Sequence, residues 1–408
     1  MTAMTTARRN VALFALALGG FAIGVTEFAS MGVLPEIAAD LLPDFAEHPA
    51  QEISRAGILI SLYALGVVVG APFIAAFAAK ASQTTLVFWL LAVFIAGSLA
   101  SAFAPGFETL AVARFLSGLP HAAFFGVVAL IAGRLMGPGN QGKGIAIAMS
   151  GLPIANIFGV PLATWAGQTI GWRWAYGIVA VLFAVTLLLV LRFVPRLPGD
   201  PTRNVRNSLA SFSTSRVWIM VAVASVGFAG FFALYSYIAE VVTRVTQLSA
   251  EMVPWVLATI GVGMTLGMFA GGWASDRNNS RTMLVSFGLM AASLGLYVAI
   301  ASNPVGLFVS VFLVAFWCAV MNPAVQSRFI HVARDAKLMG AAASHAAFNI
   351  GNAAGAWLGG IVIAAGLGYL APGWVGVLLA VVGGLFATVS VALDRRERPS
   401  SAEAPPSS

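Results

Sequence analysis

Charge is what this sequence has least of. Of 408 residues, 22 are Lys or Arg and 15 are Asp or Glu, 9% in all, where a soluble chain carries about a quarter. So few charged groups cannot coat a water-facing surface, which excludes a soluble enzyme, a coiled coil and a disordered chain. Cysteine is nearly absent: Cys318 alone, inside an apolar run, excludes a disulfide framework. Four scattered histidines add no metal-ligand cluster. No G-x-S-x-G nucleophile motif is present to suggest a lipid hydrolase. Residues 137–143 read GPGNQGK, close to a phosphate loop, but Gly144 stands where Ser or Thr must follow and no strand precedes it. No cofactor is therefore expected. The net charge of +7 is scattered in short gaps between apolar runs, so no nucleic-acid partner is expected either.

What is present is apolar: 59% of residues are hydrophobic and the mean hydropathy is +0.91. Twelve apolar segments of 20 to 29 residues stand out, at 11–34, 56–79, 84–103, 109–133, 144–169, 174–194, 217–239, 252–275, 282–301, 304–327, 338–366 and 374–393. Each is long enough to cross a hydrocarbon core about 30 Å thick, and lipid leaves them no choice but helix. The expected fold class is an all-α polytopic membrane protein with twelve transmembrane helices. The first segment is too long for a signal-peptide core and should stay as an anchor.

With the N-terminus placed in the cytoplasm, eighteen of the 22 Lys and Arg fall in cytoplasmic segments, as the positive-inside rule requires. Arg55, Arg173 and Arg244 face outward and Arg114 lies within a span, while the first outer loop is acidic, with Glu36, Asp40, Asp44, Glu47 and Glu52. Both termini are expected inside, in a cell (plasma) membrane. The polar stretch 197–215 divides the chain into an N-terminal six-helix bundle, 1–196, and a C-terminal one, 216–396. The Pro- and Ser-rich tail at 397–408 is expected to be disordered.

The halves repeat. Span five carries Ser150, Asn156, Gly159, Trp165 and Gly167; span eleven carries Ser344, Asn349, Gly351, Trp357 and Gly359. Weaker echoes are Gly66 and Gly70 against Gly263 and Gly267. Paired six-helix halves suit a solute carrier whose bundles rock around a site near the membrane midplane.

These features resemble the major facilitator superfamily, over nearly the whole chain. More narrowly the chain is similar to twelve-span drug:proton antiporters, in the branch of arabinose-efflux and chloramphenicol-exporter proteins. Thr26, Glu27 and Phe28 followed by MGVLPE at 31–36 resemble that branch's first-span motif, and RFLSGLPH at 114–121 its fourth-span motif. GWASDR at 272–277 is similar to the superfamily's loop signature, and Gly159 and Pro161 to a reduced antiporter motif. The first-half loop signature has decayed to AFAAK at 76–80, without an acid. The resemblance implies proton-coupled export of small amphipathic, drug-like compounds by a monomer, with sugar or nucleoside efflux as the alternative. It also implies that spans one and four are neighbours, and that Asp276 with Arg277 latches an inner gate. An exposed loop pair is the plainer reading of those two residues.

Glu27 and Arg114 are the charges buried deepest, at a cost of roughly 2.5–3.5 kcal/mol each on insertion scales. They lie about 10 and about 8 Å from the outer membrane face at 1.5 Å per residue, so a carboxylate–guanidinium pair is expected if the two spans adjoin. Glu27 is the candidate proton carrier, with a static packing pair as the alternative. His121 shares the helix face of Arg114 and is a candidate relay, although a lone membrane histidine often only bonds one helix to another. The second half offers no acid or base inside its expected spans. It offers Asn322 and Gln326 in span ten, His345, Asn349 and Asn352 at helical spacing in span eleven, and Phe228, Phe232 and Tyr235 on span seven. Met31, Phe125 and Asn156 complete the expected substrate cavity, which reads as apolar with a few hydrogen-bonding groups. Plain packing is the alternative for the aromatic stripe.

Overall fold

A computed structural model describes residues 4–78, 82–137, 139–197, 215–332 and 337–397. Nearly all of the expected linker at 197–215, the tail at 397–408 and the side chains at 76–80 lie outside the description. Among the described residues there are helices and no strand. Eleven helical stretches are long and apolar enough to cross a membrane. Ten are single spans: Thr6–Gly32, Pro49–Ala71, Gln83–Ala102, Phe107–Met136, Gln141–Ile170, Trp172–Phe193, Ser215–Val245, Pro304–Phe329, Ser344–Ala364 and Ala371–Leu393. The remaining one, Ala250–Ile300, has 51 residues, about 76 Å of helix against roughly 30 Å of hydrocarbon. Asn278 breaks it, with φ −156° and ψ 90°. Its Oδ1 accepts the backbone N–H of Arg281 at 3.0 Å, so it caps the start of a new helix. Spans eight and nine are thus separate crossings, and the total is the expected twelve.

Two boundaries differ from expectation in ways that matter. Span seven runs to Val245 rather than 239, taking in Glu240, 2% exposed, and its partner Arg244. Span ten includes Arg328, 5% exposed. The second half therefore does carry ionisable groups inside its spans. Hydropathy missed them because each charge sits in a terminal turn, where the apolar run has ended but the backbone hydrogen-bond ladder continues.

Most of the tryptophans face outward from the bundle. Trp89, Trp218 and Trp273 lie near the end of the bundle that holds both termini, and Trp165, Trp174, Trp255, Trp357 and Trp374 near the opposite end, the one expected to face outward and called outer below. Two rings of amphipathic indole mark the two membrane interfaces.

Within the first half, span one packs on five and six, two on four, and three on four and six. In the second, seven packs on eleven and twelve, and the eight–nine stretch on ten and twelve. Glycines set the closest approaches. A Cβ on Gly66 or Gly70 would lie 2.2 or 2.0 Å from the carbonyl oxygens of Phe115 and Leu119 in span four. On Gly263 or Gly267 it would lie 2.8 or 2.2 Å from those of Phe312 and Phe316 in span ten. The faint Gly echo in the sequence is thus one packing device used twice, for two on four and for eight on ten.

Between the halves, span two packs on eleven and five on eight. These two contacts exchange under the internal repeat, as a rocking pair of bundles requires. One apolar cluster joins the halves, from Met31 and Leu34 through Tyr237 and Val241 to Leu257. A second cluster, with Leu13, Phe94 and Phe183, belongs to the first half alone. Among the described residues the halves share an apolar core only toward the outer end.

Candidate functional site

Five consecutive buried residues of span one, Thr26 to Ser30, project to several neighbours at once. Thr26 Oγ1 accepts from Arg114 Nη1 at 3.2 Å. Glu27 Oε1 accepts from Asn352 Nδ2 of span eleven at 3.1 Å. Phe28 stacks on Phe232 and Tyr235 of span seven, with ring centroids at 6.4 and 5.6 Å. Ser30 shares a 2.9 Å hydrogen bond with the Tyr176 hydroxyl of span six. Glu27 thus points into the space between the halves, away from lipid, and is 6% exposed.

The expected Glu27–Arg114 contact is not formed. Arg114 is fully buried, and its guanidinium lies over the Tyr63 ring at 4.3 Å and 5.4 Å from that of Tyr176. The adjacent hydroxyl, Thr26, takes its one hydrogen bond, while Nε and Nη2 have none. Two aromatic faces, which attract a desolvated cation, do the work assigned to the carboxylate. Arg114 bonds Thr26, the chain neighbour of Glu27, so the two charges lie at a similar height along span one. Tyr63 and Tyr176 were not foreseen. The available signal was that tyrosine is scarce, six in all, and a buried hydroxyl needs a partner.

His121 follows a break in span four at Leu119 and Pro120, where the missing proline N–H opens the helix. Its Nδ1 meets the Tyr63 hydroxyl at 3.0 Å, so the helix-to-helix bond is present. Its ring lies 5.4 Å from Phe125, and Phe125 stacks on His345 across the halves at 5.8 Å, 8° from parallel. His345 meets Phe348 edge-on, and Phe348 packs on Phe228 at 4.3 Å. A continuous row of rings therefore runs from span two to span seven. Asn349 Nδ2 donates to His345 O at 3.0 Å. Asn156 donates to Leu152 O at 3.3 Å from within a π-helical turn, Ala155–Gly159, a distortion frequent at functional sites. Met31 is fully enclosed in the outer cluster. Asn322 and Gln326 stand apart, half-buried and without a hydrogen bond among the described residues.

Asp276 and Arg277 are exposed. Arg277 folds back over Trp273 at 3.7 Å and donates to its carbonyl at 3.1 Å, while Asp276 has no ion-pair partner among the described residues.

The outer end is closed by Tyr237, 1% exposed, whose hydroxyl donates to Ala356 O at 2.6 Å. That hydroxyl sits where a Cβ on Gly57 or Gly360 would lie 2.1 or 2.6 Å away, so it is wedged between spans two and eleven. One turn deeper Ser61 donates to Ala353 O at 3.0 Å. Around this closure, Arg173 and Trp172 both donate to Asp40, and the Arg173 bond holds that carboxyl below the usual aspartate range. Burial pushes Glu36 above the usual glutamate range, with Glu240 adding to the effect.

The family model described as Major Facilitator Superfamily matches residues 16–244 and 217–407. The chain is 34% identical to the inner membrane transport protein YdhP of Escherichia coli (strain K12), over 96% of this chain and 97% of that protein. It is 28% identical to a chloramphenicol resistance protein of Streptomyces lividans, over 91% and 93% of the two chains. The crystal structure of a bacterial homolog to the human lysosomal transporter Spinster, in an inward-facing and unoccupied conformation, has a similar fold. Its TM-score is 0.73, at 17% identity, over 98% of this chain and 100% of that one.

Proposed function

This chain belongs to the Major Facilitator Superfamily, and from that premise we propose that it is a proton-coupled exporter of small amphipathic compounds. The observation that carries the reading is the bond from Asn352 of the second half to Glu27 of the first. It crosses the interface that must part when the outer end opens, so alternating access makes and breaks it in every cycle.

The chemistry then runs in one direction. A hydrogen bond to a charged group is roughly twice as strong as a neutral one, so the Asn352 amide holds the ionised carboxylate while the outer end is closed. Opening withdraws that donor together with the Phe28–Phe232 and Phe28–Tyr235 contacts, and wets Glu27 from outside. A proton replaces the amide as partner and is shed toward the cytoplasm on reclosure. Inward protons are thereby exchanged for outward cargo. Arg114, held by Tyr63, supplies a fixed positive charge beside this switch, and His121 on the same tyrosine is the relay candidate.

Between the halves the lining is the aromatic row Phe125, His345, Phe348 and Phe228 with the amides of span eleven. That suits a ring-bearing amphiphile, and a chloramphenicol resistance protein is among the relatives. We place Asp276 and Arg277 as a latch that engages when the inner end closes, both termini in the cytoplasm, and the working unit as a monomer of two six-helix bundles. The test is Glu27→Gln in inverted membrane vesicles with an imposed pH gradient. We expect folded protein that no longer accumulates chloramphenicol in response to the gradient; accumulation at the wild-type rate overturns the assignment.

A further inference from the structure

The two asparagines of span eleven share an arrangement that bears on which cargo fits. Asn349 Nδ2 donates to a backbone carbonyl and Asn352 Nδ2 to the Glu27 carboxylate. A carbonyl and an ionised carboxylate can only accept, so each amide must turn its nitrogen toward its partner. The leftover atom is therefore the oxygen in both cases. Both Oδ1 atoms are buried without a hydrogen bond, in residues 5% and 1% exposed. Buried amide oxygens are nearly always paired in a folded protein.

The face they occupy is fixed by its two ends. His345 stacks on Phe125 of span four, and Asn352 bonds Glu27 of span one. Asn349 lies four residues after the first and three before the second, on the same helix face and toward the first half. Among the described residues the surroundings add aromatic surface and no free cation: Arg114, 0% exposed, is committed to Thr26 and the two tyrosines.

Resting on the reading that cargo passes between the halves, we infer that Asn349 and Asn352 select cargo by its own hydrogen-bond donors. The fitting class is an apolar, ring-bearing solute that carries a hydroxyl or amide N–H. A solute with those donors masked, or a cation with no N–H or O–H, leaves the two oxygens unpaired and is discriminated against, as sites built around a hydrogen bond do.

The experiment measures uptake of labelled probes into inverted vesicles of the full-length protein. The probes are chloramphenicol, with two hydroxyls and an amide N–H; its di-O-acetyl ester; and tetraphenylphosphonium, which has no donor. Chloramphenicol should be taken up saturably, the ester with a KM about tenfold higher, the scale of one lost buried hydrogen bond, and tetraphenylphosphonium not above background. Asn349→Leu should raise the chloramphenicol KM about tenfold at unchanged kcat, and Asn349→Ser, which keeps an acceptor oxygen, should recover most of it. Equal handling of the ester or of tetraphenylphosphonium, an unchanged KM in Asn349→Leu, or no chloramphenicol uptake overturns the inference. Donor-selective uptake that ignores the pH gradient, or survives in Glu27→Gln, instead overturns the proton coupling and leaves this selectivity standing.

Discussion

Gly57 is the position at which a single added carbon should change the conformation of the whole protein. The Tyr237 hydroxyl has little room to yield: it donates to Ala356 O at 2.6 Å and lies against the Cα side of Gly360 as well. A Cβ at position 57 would come to 2.1 Å from that oxygen and 2.9 Å from Cζ. Gly57→Ala therefore either expels the ring or holds spans two and eleven apart. Losing the hydrogen bond costs about 1 kcal/mol and overpacking about 1–3 kcal/mol. The outer-closed state should fall by about 2–4 kcal/mol, a shift of roughly 30- to 1000-fold toward the outward-open state. Spin labels at two exposed outer positions, Phe103 and Leu367, report the opening as a longer interlabel distance. Cys318 is buried and stays unlabelled. Gly57→Ala with Tyr237→Leu removes the colliding atoms and should restore the short distance, so the pair must be non-additive. A Gly57→Ala distance distribution identical to wild type refutes the wedge.

Two further outcomes follow from the same geometry. Arg114→Lys keeps the charge but loses the planar fork and its two-ring contact, about 1–2 kcal/mol, so exchange should drop about 5- to 30-fold at normal expression; Tyr63→Leu should do the same, while Tyr63→Phe, which keeps the ring, should not. The Asp40–Arg173 pair should stabilise the outer face fully only above the ordinary aspartate value, because a carboxyl held low loses its contribution as pH falls from there through its folded value. With the Asp40 side chain 47% exposed, Asp40→Asn should lower thermal stability slightly at pH 7, by less than about 1 kcal/mol, and progressively less as the pH falls below the ordinary aspartate value; an effect independent of pH refutes it.

What the sequence made legible was set by the range of the physics involved. Hydropathy runs and the placement of Lys and Arg are local properties of a chain in lipid, so twelve spans could be counted, and even the merged eight–nine helix resolves at Asn278. The buried charges Glu27 and Arg114 were visible because a charge in hydrocarbon has few excuses. Their partners were not. That Arg114 would rest on Tyr63 and Tyr176, with Asn352 reaching Glu27 instead, depends on how five helices converge, and no single-span pattern encodes it. Glu240 and Arg328 were hidden by the opposite failure, a hydropathy window that ends one turn before the helix does.

The two closures found here belong to one mechanical problem. Spans two and eleven meet at Tyr237, Gly57 and Gly360, and spans five and eight meet where a Cβ on Gly261 would lie 2.2 Å from the Asn156 carbonyl. The internal repeat interchanges these contacts, so a rotation that loosens one at the outer end loosens the other equally. The Glu27–Asn352 bond lies within the same seam, deeper than the Tyr237 wedge, and cannot survive a rotation that parts the wedge. Opening and loss of the carboxylate's donor are then a single event rather than two coupled ones. On the proposed mechanism a proton arriving at Glu27 competes directly with closure of the outer end, while cargo takes the oxygen of the same amide whose nitrogen holds the carboxylate. The proposed proton site and cargo site then meet at one side chain, so withdrawing Asn352 on opening removes the donor of Glu27 and the acceptor of the cargo in the same movement.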